Sequence, residues 1–291
     1  MTSLAALIDF DAKFYREENK RLFWLSARGL SDHYFNHGYY EGRMNSALAA
    51  RENFLRSIES ERILEIGPFF SPCFVGKNVE YIDVLDTDSL RERARKLGLN
   101  PDGVPNIHYV AKSLSTANIT KRYKVVFSSH NIEHQPDLIS HLNEVSSKLE
   151  DDGIYAMIIP NARYCFDANL PLTKISEVLN AYFERRTIHT VGSLVEHRAL
   201  TTHNDAGKHW AQQKKTSARY APINSSRVSA ALKEFVDSNG QYIDVHAWQF
   251  DPFSFADIIK CLIDLKLINF SKVQCNGPVY GRNEFTVKLF K

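Results

Sequence analysis

The sequence predicts an α/β protein built on a doubly wound, Rossmann-like sheet, mostly parallel and closed by an antiparallel last strand. Three observations carry that prediction. Short β-type runs alternate with helical runs from Arg62 onward, and strands separated by helices require a parallel sheet with helices on both faces. The first of these runs, "RILEIGPFFSP" at 62–72, stops at Glu65-Ile66-Gly67, where a strand gives way to a ligand loop in such folds. The chain also finishes on two strand-like stretches around a turn that contains Gly277-Pro278 and Gly281.

Taken in order, residues 4–58 place Leu4, Leu7, Ile8, Phe14, Ala47, Leu48, Phe54, Leu55 and Ile58 at helical spacing. The aromatic segment "SDHYFNHGYYEGR" at 31–43 splits that pattern, so 1–60 is predicted as an N-terminal helical segment. The runs "RILEIG", "VEYIDV" (79–84), "NIHYVA" (106–111), "YKVVFSS" (123–129) and "GIYAMIIP" (153–160) are the predicted strands of a core over 61–165. Between the last two, Leu138, Leu142, Val145 and Leu149 make one helical face, and Asp152-Gly153 is expected to close it. The β/α alternation then lapses. Helix-like pieces at 173–186 and 225–240 flank a His-rich stretch at 195–215, so 166–240 reads as a helical insertion over the substrate. The alternation returns over 241–291 with strand-like "QYIDVHAWQF", a helix begun by Pro252, and the closing pair.

Composition narrows the function classes. A chain of 291 residues that is 44% hydrophobic can bury a large core, and a net charge of +2 lacks the basic excess of a dedicated nucleic-acid binder. No segment approaches the ~20 apolar residues that span a bilayer. Cys73, Cys165, Cys261 and Cys275 form no C-x-x-C pair and read as free thiols. These features predict a soluble cytoplasmic protein and give no support to nucleic acid as a partner.

The loop narrows the ligand. A dinucleotide pyrophosphate needs backbone N–H groups approached through several glycines. Gly67-Pro68-Phe69-Phe70 supplies one glycine and a proline without an N–H, which suits a nucleoside that carries no phosphate. The ribose of such a ligand would be held by an acidic residue ending the second strand, and Asp83 and Asp86 stand there.

Together "LEIGP", the acidic end of the second strand, "VVFSSHNIEH", "LISHLNEVSSKL", "EDDG" and "IYAMIIP" resemble class I S-adenosylmethionine-dependent methyltransferases over about 62–165 and 242–291. The shortened Glu65-x-Gly67 resembles an "EIGP" subset associated with polysaccharide-assembly enzymes. The middle segment, with "PNARYCFD", "EHRAL", "HNDAGKHW" and "DVHAWQFDPFSF", resembles that subset too. The resemblance implies S-adenosyl-L-methionine as cofactor. Glu65, Gly67 and the adjoining Pro68 would flank its methionine end, Asp83 or Asp86 its ribose, Ala111 with Lys112, Ser113 and Leu114 its adenine edge, and Ser129 and His130 the methionine side of the cleft. The third strand ends in "VAKSLS", where many relatives have an acidic residue for the adenine amine.

Methyl transfer to a hydroxyl needs alignment and a base for the acceptor proton. Histidine suits that role near pH 7, and the chain has 11 of them. His246 and His203 are the leading candidates, the first because Asp244 alternates onto the same strand face and would orient it, the second because the insertion should lie over the acceptor. His130 is the third. His134 in "NIEH" reads as a loop-orienting residue. Arg163, Tyr164 and Asp167 follow the fifth strand where acceptors enter, and His209 and Trp210 join them as substrate-binding candidates. This reading requires no metal; its alternative places a divalent cation on His203, Asp205 and His209. The expected activity is O-methylation of a carbohydrate or glycan-type acceptor. The alternatives are another small-molecule, peptide or nitrogen acceptor, and a cofactor-free binding module of the same fold.

Overall fold

A computed structural model of the chain describes residues 8–59, 61–212 and 222–291. Leu4, Leu7 and residues 213–215 of the His-rich stretch lie outside the described residues.

A seven-stranded sheet runs through the molecule in the order β3-β2-β1-β4-β5-β7-β6. Its strands are β1 (Ile63–Ile66), β2 (Val79–Asp83), β3 (Tyr109–Val110), β4 (Tyr123–Ser129), β5 (Leu149–Pro160), β6 (Lys272–Asn276) and β7 (Glu284–Phe290). β3, β2, β1, β4 and β5 are mutually parallel, and β7 is antiparallel to both of its neighbours. This is an α/β, doubly wound, Rossmann-like sheet with a reversed last strand.

Among the described residues, ten α-helices surround it. α1 (Ala12–Glu18), α2 (Ala27–His33) and α3 (Arg51–Arg56) precede the sheet. α4 (Thr87–Lys96) connects β2 to β3, and α5 (Leu138–Lys148) connects β4 to β5. α6 (Ile175–Phe183), α7 (Val191–Val195), α8 (Ala206–Gln212) and α9 (Ser225–Asp237) follow β5, and α10 (Pro252–Asp264) leads into β6.

The period of two along each strand divides the core. Leu64, Val126, Tyr155, Met157 and Ile159 point to one face, where Leu138, Leu142 and Val145 of α5 and Phe255, Ile259 and Leu262 of α10 cover them. Ile63, Val125, Phe127, Ala156 and Ile158 point to the other, beneath Phe54 of α3 and Ile58. Aspartate caps start the covering helices: the Asp137 carboxylate accepts from Ser140 N–H at 3.0 Å, and Asp251 from Ser254 N–H at 2.8 Å just before Pro252.

Four local expectations change. The segment 31–43 does not interrupt helix, since α2 runs on through a π turn at Tyr34–Gly38. The third strand is only two residues long. Gly153 does not close α5: that helix ends at Lys148, and β5 begins at once at Leu149, opposite Tyr123, with the register slipping before Val125. The stretch 241–250 joins no sheet. Its backbone groups are satisfied across loops, with Ala247 N–H donating to Glu133 O at 2.7 Å and Phe250 O accepting from Ala162 N–H at 2.7 Å. That detour carries His246 over the ends of β4 and β5.

Candidate functional site

After β1 the chain builds β2 and β3 on one side, then returns to place β4 on the other. The switch point of the sheet therefore lies between β1 and β4, and ligands of open α/β sheets bind in the crevice beyond it. Gly67 ends β1 there with φ at +67°, and a Cβ on it would meet only Asn131 within 4 Å, at 3.0 Å from the amide nitrogen. The left-handed turn and the space in front of it both favour glycine. Phe69 and Phe70 do not crowd this opening, because their rings pack with Leu90, Ala94 and Val104 beside α4.

Glu65 is buried on β1, and its two oxygens accept from the N–H groups of Cys73 at 2.8 Å and Phe74 at 3.2 Å. Burial pushes its carboxyl up to about 7 against those two donors. It shapes the loop from within. Asp83 ends β2 and accepts from Val84 N–H at 2.7 Å; burial raises its carboxyl against the backbone donors. Asp86 is spent differently, capping α4 through Ser89 N–H at 2.8 Å, a bond that lowers its carboxyl. Of the residues after β3, Lys112 and Leu114 diverge. Leu114 is buried in the main core, whereas Lys112 is exposed; Ser113 between them is half-buried and bonded to the hydroxyls of Ser115 and Thr116. Pro68 is buried behind Gly67.

On the other side of the crevice, Ser129 ends β4 within 3.3 Å of the Arg51 guanidinium. His130, at φ +50°, turns its Nε2 to Glu284 at 2.9 Å. Glu284 also holds Arg51 at 2.9 Å, so His130 belongs to a three-residue charge network on the sheet edge.

The structure assembles its densest cluster of titratable groups around His246, which is buried. Its Nδ1 lies 2.6 Å from Asp167 Oδ2, so Asp167, not Asp244, orients it. Asp244 instead lies 2.9 Å from His134 Nδ1. The partnership with Asp244 that strand alternation suggested fails because 241–250 is not a pleated strand. His197 accepts from the His246 backbone N–H at 3.2 Å. Burial first, then the neighbouring His246 and Arg198, drop its imidazole to about 4, so it is neutral at pH 7. His134 is held above its ordinary value: burial opposes the charge, but Asp244 and Glu133 more than offset that. The same pairing holds Asp244 down at about 2. Glu133, on a short turn after β4, completes the group.

Other predicted residues lie farther out. Arg163 donates to Asp251 at 2.6 Å. Tyr164 stacks on Trp210 with ring centres 3.8 Å apart, and the indole N–H donates to Arg282 O, so one face of Trp210 is already covered. Gly42, at φ +69°, permits this packing, since a Cβ there would meet Trp210 at 2.6 Å. His203 stacks on His209, whose Nε2 lies 2.8 Å from His203 O, while His203 Nδ1 accepts from Asp205 N–H and Asp205 accepts from Lys208 N–H. That set is a hydrogen-bonded start to α8.

Glu133, His134, His197 and Asn131 are the site residues that sequence reasoning missed or passed over. Asp167 was placed with the substrate, and its service to His246 crosses 79 residues of chain. The adjacent Glu-His of "NIEH" was the one available sign.

No family model and no curated protein sequence matches the chain. Some solved structures show a distant likeness to it. A Nostoc punctiforme protein described as an O-methyltransferase is 13% identical over 80% of this chain and 53% of its own, with a TM-score of 0.37. A carbon methyltransferase is 12% identical over 82% and 51%, with a TM-score of 0.38. A glycopeptide N-methyltransferase solved with sinefungin is 18% identical over 38% and 52%, with a TM-score of 0.28. The chain spans about half the length of each.

Proposed function

We propose that the chain is an S-adenosylmethionine-dependent methyltransferase that methylates a hydroxyl of a carbohydrate-type acceptor. One observation supports this most: Gly67, Asp83, Asn131 and Ser129 meet at the switch point, while a carboxylate-oriented histidine stands beyond the ends of β4 and β5. The space before Gly67 would take the methionine part of the cofactor, and Asp83 would take the ribose. Asp86 is the weaker choice because its carboxylate already caps α4. Ser129 and His130 would flank the methionine side, and Lys112 to Leu114 the adenine edge. S-adenosylmethionine, when bound, supplies an electrophilic methyl group on a sulfonium.

The chain's own residues then have two tasks, alignment and proton removal. His246 would serve the second: Asp167 lies against its Nδ1, and its Nε2 faces Glu133. The role of base falls to it ahead of His203 and His130, which are engaged in α8 and with Glu284. Arg163 would border the acceptor beneath the insertion, with the buried Tyr164, Asp167, His209 and Trp210 packed behind that wall. A lining of carboxylates and imidazoles suits a polyhydroxylated molecule, which can hydrogen-bond throughout.

Incubating the protein with methyl-labelled cofactor and a panel of sugars and glycans, read by mass spectrometry, tests this reading. Transfer to a hydroxyl, reduced ~10²-fold or more in His246→Ala and in Asp167→Asn but retained in His203→Ala, is the expected result. Transfer that is equal in all three variants would move the reading to a nitrogen acceptor that needs alignment alone.

A further inference from the structure

We propose that Glu133, His134 and His246 form a binding site for one divalent transition-metal cation of the zinc class, with Asp167 and Asp244 as outer partners that fix the two imidazoles. Among the described residues, two groups of histidine and carboxylate side chains bring one ligand atom each within 4.8 Å of one another: Glu133 with His134 and His246, and Asp167 with His197 and His246.

The first group has the features of ligands awaiting an ion. Glu133 is fully buried, and neither of its carboxylate oxygens has a hydrogen-bond partner. An isolated buried carboxylate is costly unless it is paired or coordinates a metal. Its Oε1 lies 3.7 Å from His134 Nε2 and 3.9 Å from His246 Nε2. Both separations are too long for hydrogen bonds. They are only slightly wider than the roughly 3.0–3.4 Å expected between ligands that each sit at about 2.1 Å from a common ion.

The opposite nitrogen of each ring faces a carboxylate, hydrogen-bonded for His246 and at ion-pair distance for His134. His246 Nδ1 lies 2.6 Å from Asp167, and His134 Nδ1 lies 2.9 Å from Asp244. A carboxylate on one nitrogen sets the tautomer and turns the other lone pair outward, the usual second shell of a metal-bound histidine. The rings stand perpendicular with centres 4.7 Å apart, and both Nε2 atoms face the same carboxylate.

The backbone holds the arrangement. Glu133 O accepts from Ala247 N–H at 2.7 Å, which ties the loop after β4 to the segment carrying His246. The second group is committed within the protein, because Asp167 Oδ2 faces His246 Nδ1 and His197 Nδ1 accepts from the His246 backbone. It supports the first group.

Two imidazoles and a carboxylate suit zinc and its first-row neighbours. Three protein ligands leave a position open. Resting on the methyltransferase reading, that position would stand beside the acceptor hydroxyl; with His246 Nε2 taken by the ion, the ion would lower the pKa of the hydroxyl in place of proton removal by that nitrogen. This site departs from the sequence expectation, which required no metal and offered His203, Asp205 and His209 as the alternative.

The test is direct metal binding without cofactor or acceptor. Protein stripped with EDTA and dialysed is titrated with zinc by calorimetry, and with cobalt by visible absorption. Wild type should bind one equivalent. Glu133→Gln should lower affinity ~10²-fold or more, and Asp244→Asn, at a half-exposed position that the fold tolerates, ~10-fold to 10²-fold. His203→Ala should bind as wild type does. Wild type that binds no zinc, or Glu133→Gln and Asp244→Asn that bind it as tightly as wild type, overturns the site; so does binding lost in His203→Ala alone. Binding of S-adenosylhomocysteine by protein that takes up no zinc would reject the metal site and leave the methyltransferase reading standing.

Discussion

Glu65 holds its proton up to about pH 7 because it is buried on β1. Its unfolded value is 4.5, so between those two values the folded chain binds the extra proton. Stability from this group is therefore full below pH 4.5 and falls as pH rises to 7. Glu65→Gln keeps both backbone partners within reach of an amide oxygen and cannot ionise. The stability of the variant relative to wild type should rise across that window by on the order of 3 kcal/mol, at about 1.4 kcal/mol per unit. Urea unfolding at pH 4.5, 6 and 8 measures the difference, and a flat difference contradicts the assignment. The two aspartates after β2 separate in the same manner. Asp83→Ala should weaken S-adenosylhomocysteine binding by ~1–3 kcal/mol. Asp86→Ala should leave that affinity unchanged and cost ~1 kcal/mol of stability through the lost cap. The opposite pattern in calorimetry would place the ribose at Asp86.

At the scale of elements, α10 depends on one buried side chain. The Asp251 carboxylate caps its first turn and holds Arg163 from the loop after β5. Asp251→Ala should cost about 1–2 kcal/mol from the cap alone, seen as a lowered thermal midpoint, and should leave cofactor affinity intact. Elements with a period of their own were legible in the sequence: β1, β2, β4 and β7 lie where apolar runs placed them, and α5, α9 and α10 follow their apolar faces and caps. The segment 241–250 was misread because alternation of apolar and polar residues records which face is buried. It does not record whether a neighbouring strand supplies the hydrogen bonds. Here Glu133, Thr173 and Ala162 supply them. The partnership of His246 was lost with that strand. Asp167 lies 79 residues away and Glu133 more than a hundred, and no local pattern joins such positions.

The whole molecule brings these parts to one edge of one sheet. The alternation of elements and the closing pair implied a mostly parallel sheet with an antiparallel last strand, which is why the fold class was legible when half of the site was not; the order β3-β2-β1-β4-β5-β7-β6 emerges only from the structure. Gly67 and Asp83, proposed for the cofactor, sit at strand ends that sequence can locate. The cluster around His246, proposed for the acceptor, is built from loops and an irregular segment. No described helix is long and apolar enough to cross a membrane.

The claim that unites the account is that the crevice between β1 and β4 binds S-adenosylmethionine, and calorimetry with S-adenosylhomocysteine tests it most directly. Valine at position 67 would add left-handed backbone strain to its bulk, because φ is +67°. Asparagine tolerates that conformation while still filling the space. The account predicts one binding site per wild-type chain and ~10²-fold or greater loss in Gly67→Asn, with cooperative unfolding retained. Wild type without binding, or Gly67→Asn binding as tightly as wild type, would contradict it.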